Sequence, residues 1–551
     1  MGSDRVERST MVSGGSDTIV ALATPQGRGA IAVVRLSGPE AHDVAGRIAT
    51  PWPLPERVAR LCTLTDPSSG TTVDRGIVTA YGGDRSYTGE PMVEIATHGG
   101  YLVPAATMAA LIRAGAREAL PGEFTRRAVL NGKLDVLRAE AVGDLIDARS
   151  ALMHRTALAQ LDGGLSRRID QLRNGLIGIE ALIAYDIDFP EEDDGPVDRE
   201  RVLSSCDRLL VQLDALLETA PAGELVREGA VVVLAGAPNA GKSSLYNALL
   251  GEARAIVTEI PGTTRDALEA TIDADGWPLR LVDTAGLRDS TDALERLGIE
   301  ASERYLKRAH VVLACGETPE AVDAAIDRIR TVTAAPAVGV LTKADLFADR
   351  DQYYAPALVP TRDQSGHSPP GNSATDLVSN SVYTAPVRRP AGMLVTEGQE
   401  SPPLRPVESD QRLVADGALS RQPSTGALLS AGYQSPAGTL PGTRISAVAA
   451  SAVTGQGLGE LRSAIVGVLV EQYGAPSAEL PMLTRARHVR ALETARGQLD
   501  AFRAAWHENG LPAPVAAVHL RDAVVALEAL IGAVDVEDVL DRVFSSFCVG
   551  K

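Results

Sequence analysis

Short apolar runs broken by Gly and Pro open the chain. From residue 17 to about 130, runs such as "TIVALAT" and "IAVVRLSG" alternate with helical stretches, the pattern of a small α+β domain. From about 131 to 220 the apolar positions recur at helical spacing, through "LDVLRAEAVGDLIDARSALMHRTALAQLDGGLSRRIDQLRNGLIGIEALIAY", which predicts long helices. Residues 230–346 then interleave the β-runs "AVVVLAG", "LRLVD", "HVVLACG" and "AVGVLTK" with the helical "SSLYNALLG" and "EAVDAAIDRIRTV". That order predicts a doubly wound α/β domain with a parallel sheet. Beyond about 480, "RHVRALETARGQLDAFRAAW" and "PVAAVHLRDAVVALEALIGAV" are helical again. The simplest architecture is an α+β multidomain chain in which an α/β domain is inserted into a helical domain built from both flanks. The predicted boundaries are a tail at 1–16, an N-terminal α+β domain at 17–130, a helical domain at 131–225 and 476–551, and the inserted domain at 226–475.

One stretch fits neither periodicity. Between 351 and 445, Pro, Gly and Ser supply 32 of 95 residues, with tracts such as "SGHSPPGNSATD" and "ESPPLRPVESD". Such a composition buries too little apolar surface to offset chain entropy and reads as a disordered insertion. It is either a surface loop, since loop closure costs grow slowly with length, or a partner-binding tail.

At 551 residues the chain exceeds what one core supports. No run of about eighteen uncharged apolar residues suggests a membrane span, and the N-terminus lacks the apolar core of a secretion signal, so a cytoplasmic protein is expected. The cysteines Cys62, Cys206, Cys315 and Cys548 form no C-x-x-C pair, which argues against a zinc site or a disulfide framework. The net charge of −18 opposes polyanion binding, which runs through Lys and Arg. A nucleic-acid role would need a local basic patch or a basic partner.

Chemistry concentrates in "GAPNAGKSS", residues 236–244. Gly236 to Ser243 reads G-x-x-x-x-G-K-S between a β-run and a helical run, so backbone N–H groups would ring phosphates. Lys242 would reach the β and γ oxygens and the Ser243 hydroxyl would hold Mg²⁺. Asn239, Ala240, Gly241 and Ser244 complete the loop. Asp283, followed by Thr284, Ala285 and Gly286, ends a β-run where a carboxylate would back Mg²⁺ through water and Gly286 could meet the γ-phosphate. Thr342, Lys343, Ala344 and Asp345 follow another; the Asp345 carboxylate can accept the two guanine N–H groups that adenine lacks, making the ligand GTP. Read alone, Asp345 could instead cap a helix. Ser451, Ala452 and Val453 are placed for the last base contact.

These motifs resemble the translation-factor class of GTPases, with Thr263 and Thr264 in "PGTTRD" as the first switch. Thr342 stands where that class usually has Asn; the lost amide predicts modest guanine affinity. Leu287 occupies the position of a water-orienting Gln. Asn239 and the oxygen-rich segment Thr258 to Thr264 could ring a monovalent cation that supplies the charge of a missing arginine finger, although Asn239 also fits a plain turn residue. For the attacking water, the acidic residues of "LRDSTDALERLGIE" are candidates.

The flanks carry a more specific resemblance. "DTIVALATPQGRGAIAVVRLSG", "SYTGEPMVEIATHGG", "PGEFTRRAVLNGKLDVLRAEAVGDLID", "YDIDFPEE", "GTTRDALEATIDADGWPLRLVDTAGLRDSTDALERLGIE" and the terminal "FSSFCVGK" resemble the MnmE (TrmE) family of tRNA modification GTPases. The resemblance spans nearly the whole chain apart from 1–16 and 351–445. It implies an N-terminal folate-binding and dimerisation domain, a helical domain from two chain segments, and an inserted P-loop GTPase domain. It also implies a partner, MnmG, which carries FAD and uses NADH, in a heterotetramer or larger complex. Together the two would install a (carboxymethyl)aminomethyl group at C5 of wobble uridine 34 of certain tRNAs, with 5,10-methylene- or 5-formyl-tetrahydrofolate as the folate.

By the same resemblance the folate contacts are Arg35, Glu94, Lys133 and Lys551. The K⁺ ligands are Asn239, Thr258, Ile260 and Thr263, and the Mg²⁺ ligands are Ser243 and Thr264. Glu295 orients water beside the catalytic Lys242, and Glu259, Pro261 and Gly262 belong to the GTP-binding segment. Cys548 invites a redox role, but a small buried residue explains it equally. A GTP-gated RNA or ribosome assembly factor is the alternative; such a factor is expected to carry a basic module, and the C-terminus offers the acidic "VDVEDVLDRVFSSFCVGK".

Overall fold

β-Branched and small residues at every second position build the first sheet. The computed structural model describes residues 17–188, 199–252, 269–283, 303–346, 447–476, 481–508 and 513–532, together with Phe544, Phe547, Val549 and Gly550. The tail 1–16 and the insertion 351–445 lie outside the described residues. Strands β1 (Ile19–Leu22), β2 (Gly27–Ser37), β3 (Ala49–Thr50), β4 (Arg60–Thr65), β5 (Thr72–Tyr81), β6 (Met92–Gly100) and β7 (Arg117–Glu118) form one sheet in the order β3-β4-β5-β6-β2-β1-β7. Its pairs are antiparallel except β1 with β7. Because side chains alternate between faces, Val34, Leu36, Val93 and Ile95 enter a core with Val44 and Leu111. These last two come from the helices Ala41–Gly46 and Leu102–Arg113. Arg35 and Glu94, register partners on neighbouring strands, are thereby turned away from that core.

The helices Val136–Ile146 and Ala151–Leu161 start at side-chain caps, Asp135 accepting from the Arg138 N–H and Ser150 from the Met153 N–H. They lead to Gly164–Asp188, Arg199–Leu217 and Ala220–Glu228. Two further helices, Ala486–Glu508 and Ala513–Ile531, come from beyond the inserted domain. Leu165, Ile169, Leu172 and Leu176 share one core with Leu492, Leu499, Phe502 and Leu520, so segments some three hundred positions apart fold as one bundle.

The second sheet contains β8 (Ala230–Gly236), β9 (Glu269–Ala274), β10 (Trp277–Asp283), β11 (Val311–Gly316), β12 (Ala337–Leu341) and β13 (Val448–Ala449) in the order β13-β12-β11-β8-β10-β9. Only β9 with β10 is antiparallel. Strand β8 is apolar on both faces, Val232, Val233 and Leu234 all being inaccessible, as expected of a parallel strand with helices on both sides. Asp275 and Gly276 turn the β9–β10 hairpin with φ of 50° and 92°, the left-handed pair a two-residue turn requires.

The chain enters this domain after Arg227 and leaves it before Arg485. Both arginines donate to Oδ1 of Asp144, at 3.4 and 2.6 Å, so one carboxylate ties the two crossings together.

Candidate functional site

The phosphate loop is shaped by contacts that leave no room for larger residues. Gly236 ends β8 with φ of 155°, and a Cβ there would lie 2.3 Å from the Cys315 carbonyl oxygen of β11. Asn239 and Gly241 are left-handed, with φ of 64° and 78°. The helix Lys242–Glu252 then begins, its free N–H groups and dipole pointing toward the loop. Lys242 is buried, and its ammonium donates to the carbonyls of Gly236 at 3.2 Å and Ala237 at 2.8 Å. Ser243 and Ser244 are exposed at the helix start, while Asp283 is buried at the end of β10, in register with Leu234 of β8. A buried cation, N–H groups at a helix start and a carboxylate on the adjacent strand suit a nucleotide phosphate chain with a divalent ion. Among the described residues no group of three or more His, Cys, Asp or Glu could hold a metal by itself.

The base side is assembled from both edges of the 347–446 stretch. Ser451 is inaccessible and donates its hydroxyl to Asp345 Oδ1 at 2.6 Å. The Ser451 Oγ in turn accepts from the N–H groups of Val453 and Thr454 at 3.3 and 3.2 Å. Backbone bonds from Ala344 N to Ala450 O and from Ala450 N to Leu341 O hold the two segments in register. Val453 itself is largely exposed. Thr342, although it lacks an amide, sends its hydroxyl to the carbonyls of Ala240 at 2.9 Å and Gly316 at 3.1 Å. The threonine therefore ties base motif to phosphate loop. Left-handed Lys343 pairs with Glu317.

A second polar site lies on the open face of the N-terminal sheet. Arg35 donates to Glu94 Oε1 through Nε at 3.0 Å and Nη2 at 2.8 Å, and Tyr81 donates to Glu94 Oε2 at 3.3 Å. Burial first, then the Glu94 charge, push the Tyr81 hydroxyl pKa up. The Arg35 guanidinium carbon sits 5.6 Å from the Tyr87 ring centroid and 5.8 Å from that of Phe124, within cation–π range. Its Nη1 donates to the Gly550 carbonyl at 3.4 Å, which brings the C-terminal end of the chain to this sheet. Lys133 donates to the Asp84 carbonyl at 2.8 Å. A carboxylate held from behind by a cation and a phenol, beside aromatic rings, suits a flat heterocycle with N–H donors.

Comparisons with known proteins agree with this layout. Residues 18–133 match the family described as the GTP-binding protein TrmE N-terminus, and residues 136–548 match the MnmE helical domain. A protein of Moorella thermoacetica named tRNA modification GTPase MnmE is 37% identical over 541 residues, covering 97% of this chain and 99% of its own length. Proteins of the same name from Aquifex aeolicus and Thermus thermophilus are 34% and 36% identical over 97% of this chain, and over 100% and 99% of their own lengths. This chain belongs to the MnmE family.

For an MnmE-family protein, Tyr81, Tyr87, Phe124 and Glu317 are the site neighbours that sequence reasoning missed. Tyr87 and Phe124 fall inside the family-like stretches "SYTGEPMVEIATHGG" and "PGEFTRRAVLNGKLDVLRAEAVGDLID", but an aromatic residue there reads equally well as core. Thr258, Glu259, Ile260, Pro261, Gly262, Thr263, Thr264, Thr284, Ala285, Gly286, Glu295, Cys548 and Lys551 lie outside the described residues. Among the described residues no helix is long and apolar enough to cross a membrane.

Proposed function

We propose that this protein hydrolyses GTP and takes part in tRNA modification, as the names of its relatives describe. The reading rests chiefly on the base side, where Asp345 is held by Ser451 and Thr342 ties the base motif to the phosphate loop. Asp345 would accept from the guanine N–H groups, the loop N–H groups and Lys242 would take the phosphate oxygens, and Ser243 would ligate Mg²⁺. That ion, when bound, supplies charge neutralisation at the β- and γ-phosphates. Lys242 would stabilise charge growing on the transferred group, and Glu295 would orient the attacking water. With Leu287 where a Gln is usual, Asn239, Thr258, Ile260 and Thr263 would collect K⁺ as the missing positive charge.

In this reading Arg35, Glu94, Lys133 and Lys551 bind a tetrahydrofolate derivative. The Glu94 carboxylate would take the pterin N–H groups, and the lysines would take the glutamate tail. The protein would act as a homodimer with the FAD-carrying MnmG on C5 of wobble uridine. The test is mass spectrometry of nucleosides from digested tRNA of a deletion strain. Loss of C5-substituted uridines is expected and should be restored by the wild-type chain. Unchanged nucleosides together with lost ribosomal or RNA assembly would favour a GTP-gated assembly factor instead.

A further inference from the structure

A groove of about 470 Å³ opens between the antiparallel helices Gly164–Asp188 and Arg199–Leu217. Its floor is Gly175, Gly178 and the apolar Ile179, Leu182 and Leu209, and its wall carries Arg201, Ser205, Arg208 and Gln212. Among the described residues no carboxylate lines it, in a chain whose net charge is −18. Elsewhere on this bundle arginines are matched to acids, as Arg173 is with Glu528, Arg496 with Asp214 and Arg503 with Asp207. The Arg503 pair also engages the carboxylate next to Arg208 in sequence.

Among the described residues Arg201 and Arg208 form no ion pair; Arg208 only donates to the Ser205 hydroxyl, at 2.9 Å. Arg168, two turns before Gly175 on the same helix, likewise has no carboxylate partner among the described residues and donates to Gln171. Arg201 and Arg208 are two turns apart, about 10 Å along the axis, far enough for each guanidinium to meet a different phosphate of one strand. At Gly178 a Cβ would meet nothing within 4 Å, so a backbone can approach the floor without displacing a side chain.

We infer that this groove is the docking surface for the phosphate backbone of the tRNA, the local basic patch that an otherwise acidic protein needs. The inference rests on the tRNA reading above and adds where the RNA lies. Phosphate contacts set position and salt dependence, not sequence preference, so the groove would hold the RNA body while chemistry proceeds elsewhere.

The test is tRNA binding by fluorescence anisotropy across a salt series, using the full chain. The double variant Arg201→Glu with Arg208→Glu should weaken binding at least ten-fold at low salt. It should also flatten the slope of log K against log salt by about 1.5, two phosphates at roughly 0.7–0.9 each. Arg201→Lys with Arg208→Lys keeps the charges and should stay within a few-fold of wild type. Gly178→Glu puts a carboxylate into open space on a helix, where Glu is a better helix former than Gly, and should weaken binding without unfolding the bundle. GTP turnover without tRNA should be unchanged in all three. If wild type binds tRNA and the glutamate variants bind equally with the same slope, the groove is overturned and the tRNA reading stands. If wild type binds no tRNA at any salt, both fall.

Discussion

Ser451 donates its hydroxyl to the Asp345 carboxylate across 2.6 Å, although 106 positions separate them. The serine is inaccessible and its oxygen also accepts from two backbone N–H groups, so the carboxylate is oriented by a fixed donor. Ser451→Ala should therefore weaken GTP binding by roughly 1.5–3 kcal/mol, about ten- to 150-fold, as expected for losing a hydrogen bond to a charged group. Asp345→Asn should move preference from GTP toward XTP. Competition binding with both nucleotides checks this, and retained GTP preference would mean the base lies elsewhere.

Thr342 bears on the expected cost of its missing amide. Its hydroxyl satisfies the Ala240 and Gly316 carbonyls from a buried position, so Thr342→Asn should change GTP affinity less than about three-fold, under 1 kcal/mol. Thr342→Val is nearly isosteric but removes the donor. It should cost about 1–3 kcal/mol of stability by leaving the Ala240 carbonyl without this donor, while the Gly316 carbonyl keeps the backbone N–H of residue 342; the cost is read as a lower thermal midpoint without nucleotide.

Potassium dependence tests the cation argument. GTP turnover should rise on the order of 10²-fold when K⁺ replaces Na⁺, the scale of one well-placed electrostatic group. Asn239→Ala should remove most of that difference while leaving nucleotide affinity largely intact. Equal rates in the two salts for wild type would remove K⁺ from the mechanism.

At the N-terminal sheet, Glu94 is gripped by Arg35 and Tyr81. Glu94→Gln should reduce binding of 5-formyl-tetrahydrofolate at least ten-fold by calorimetry, since an amide accepts poorly from two N–H donors. Tyr81→Phe should lower it by only a few-fold. GTP turnover should be unaffected by either substitution.

Acid sensitivity should trace to His488. Its Nε2 lies 2.8 Å from Glu140 Oε2, and both side chains are almost fully buried. Burial would raise the Glu140 pKa, but hydrogen bonds from His488 and Arg487 outweigh it and hold the carboxyl at about 2. Burial pushes His488 below its ordinary value; its Nδ1 has no hydrogen-bond partner among the described residues, which favours the neutral ring. The unfolded chain then binds a proton near pH 6.5 that the folded chain refuses, so stability is lost as pH falls through that value. The Glu140 contribution is lost only below about pH 4.5. Between pH 7.5 and 5.5 the thermal midpoint of wild type should fall more than that of His488→Gln; parallel falls would clear the histidine.

The sequence by itself determined the local elements and the nucleotide chemistry. A two-residue period marks β2 and β6 because their sheet has one covered face, and an unbroken apolar run marks β8 because both of its faces are covered. The loop from Gly236 to Ser243 was legible because phosphate binding demands glycines and a lysine at fixed spacing within one turn of chain. Only the tertiary structure could decide contacts between residues far apart in sequence. Periodicity assigns a face and not a neighbour, so nothing local in Tyr81, Tyr87 or Phe124 says that they surround Arg35. Nothing local in Arg227 and Arg485 says that they meet on Asp144. Thr342 shows the difference most directly: in the sequence it is a missing amide, whereas in the fold its hydroxyl reaches the Ala240 carbonyl because β12 lies two strands from β8 and brings the two loops together.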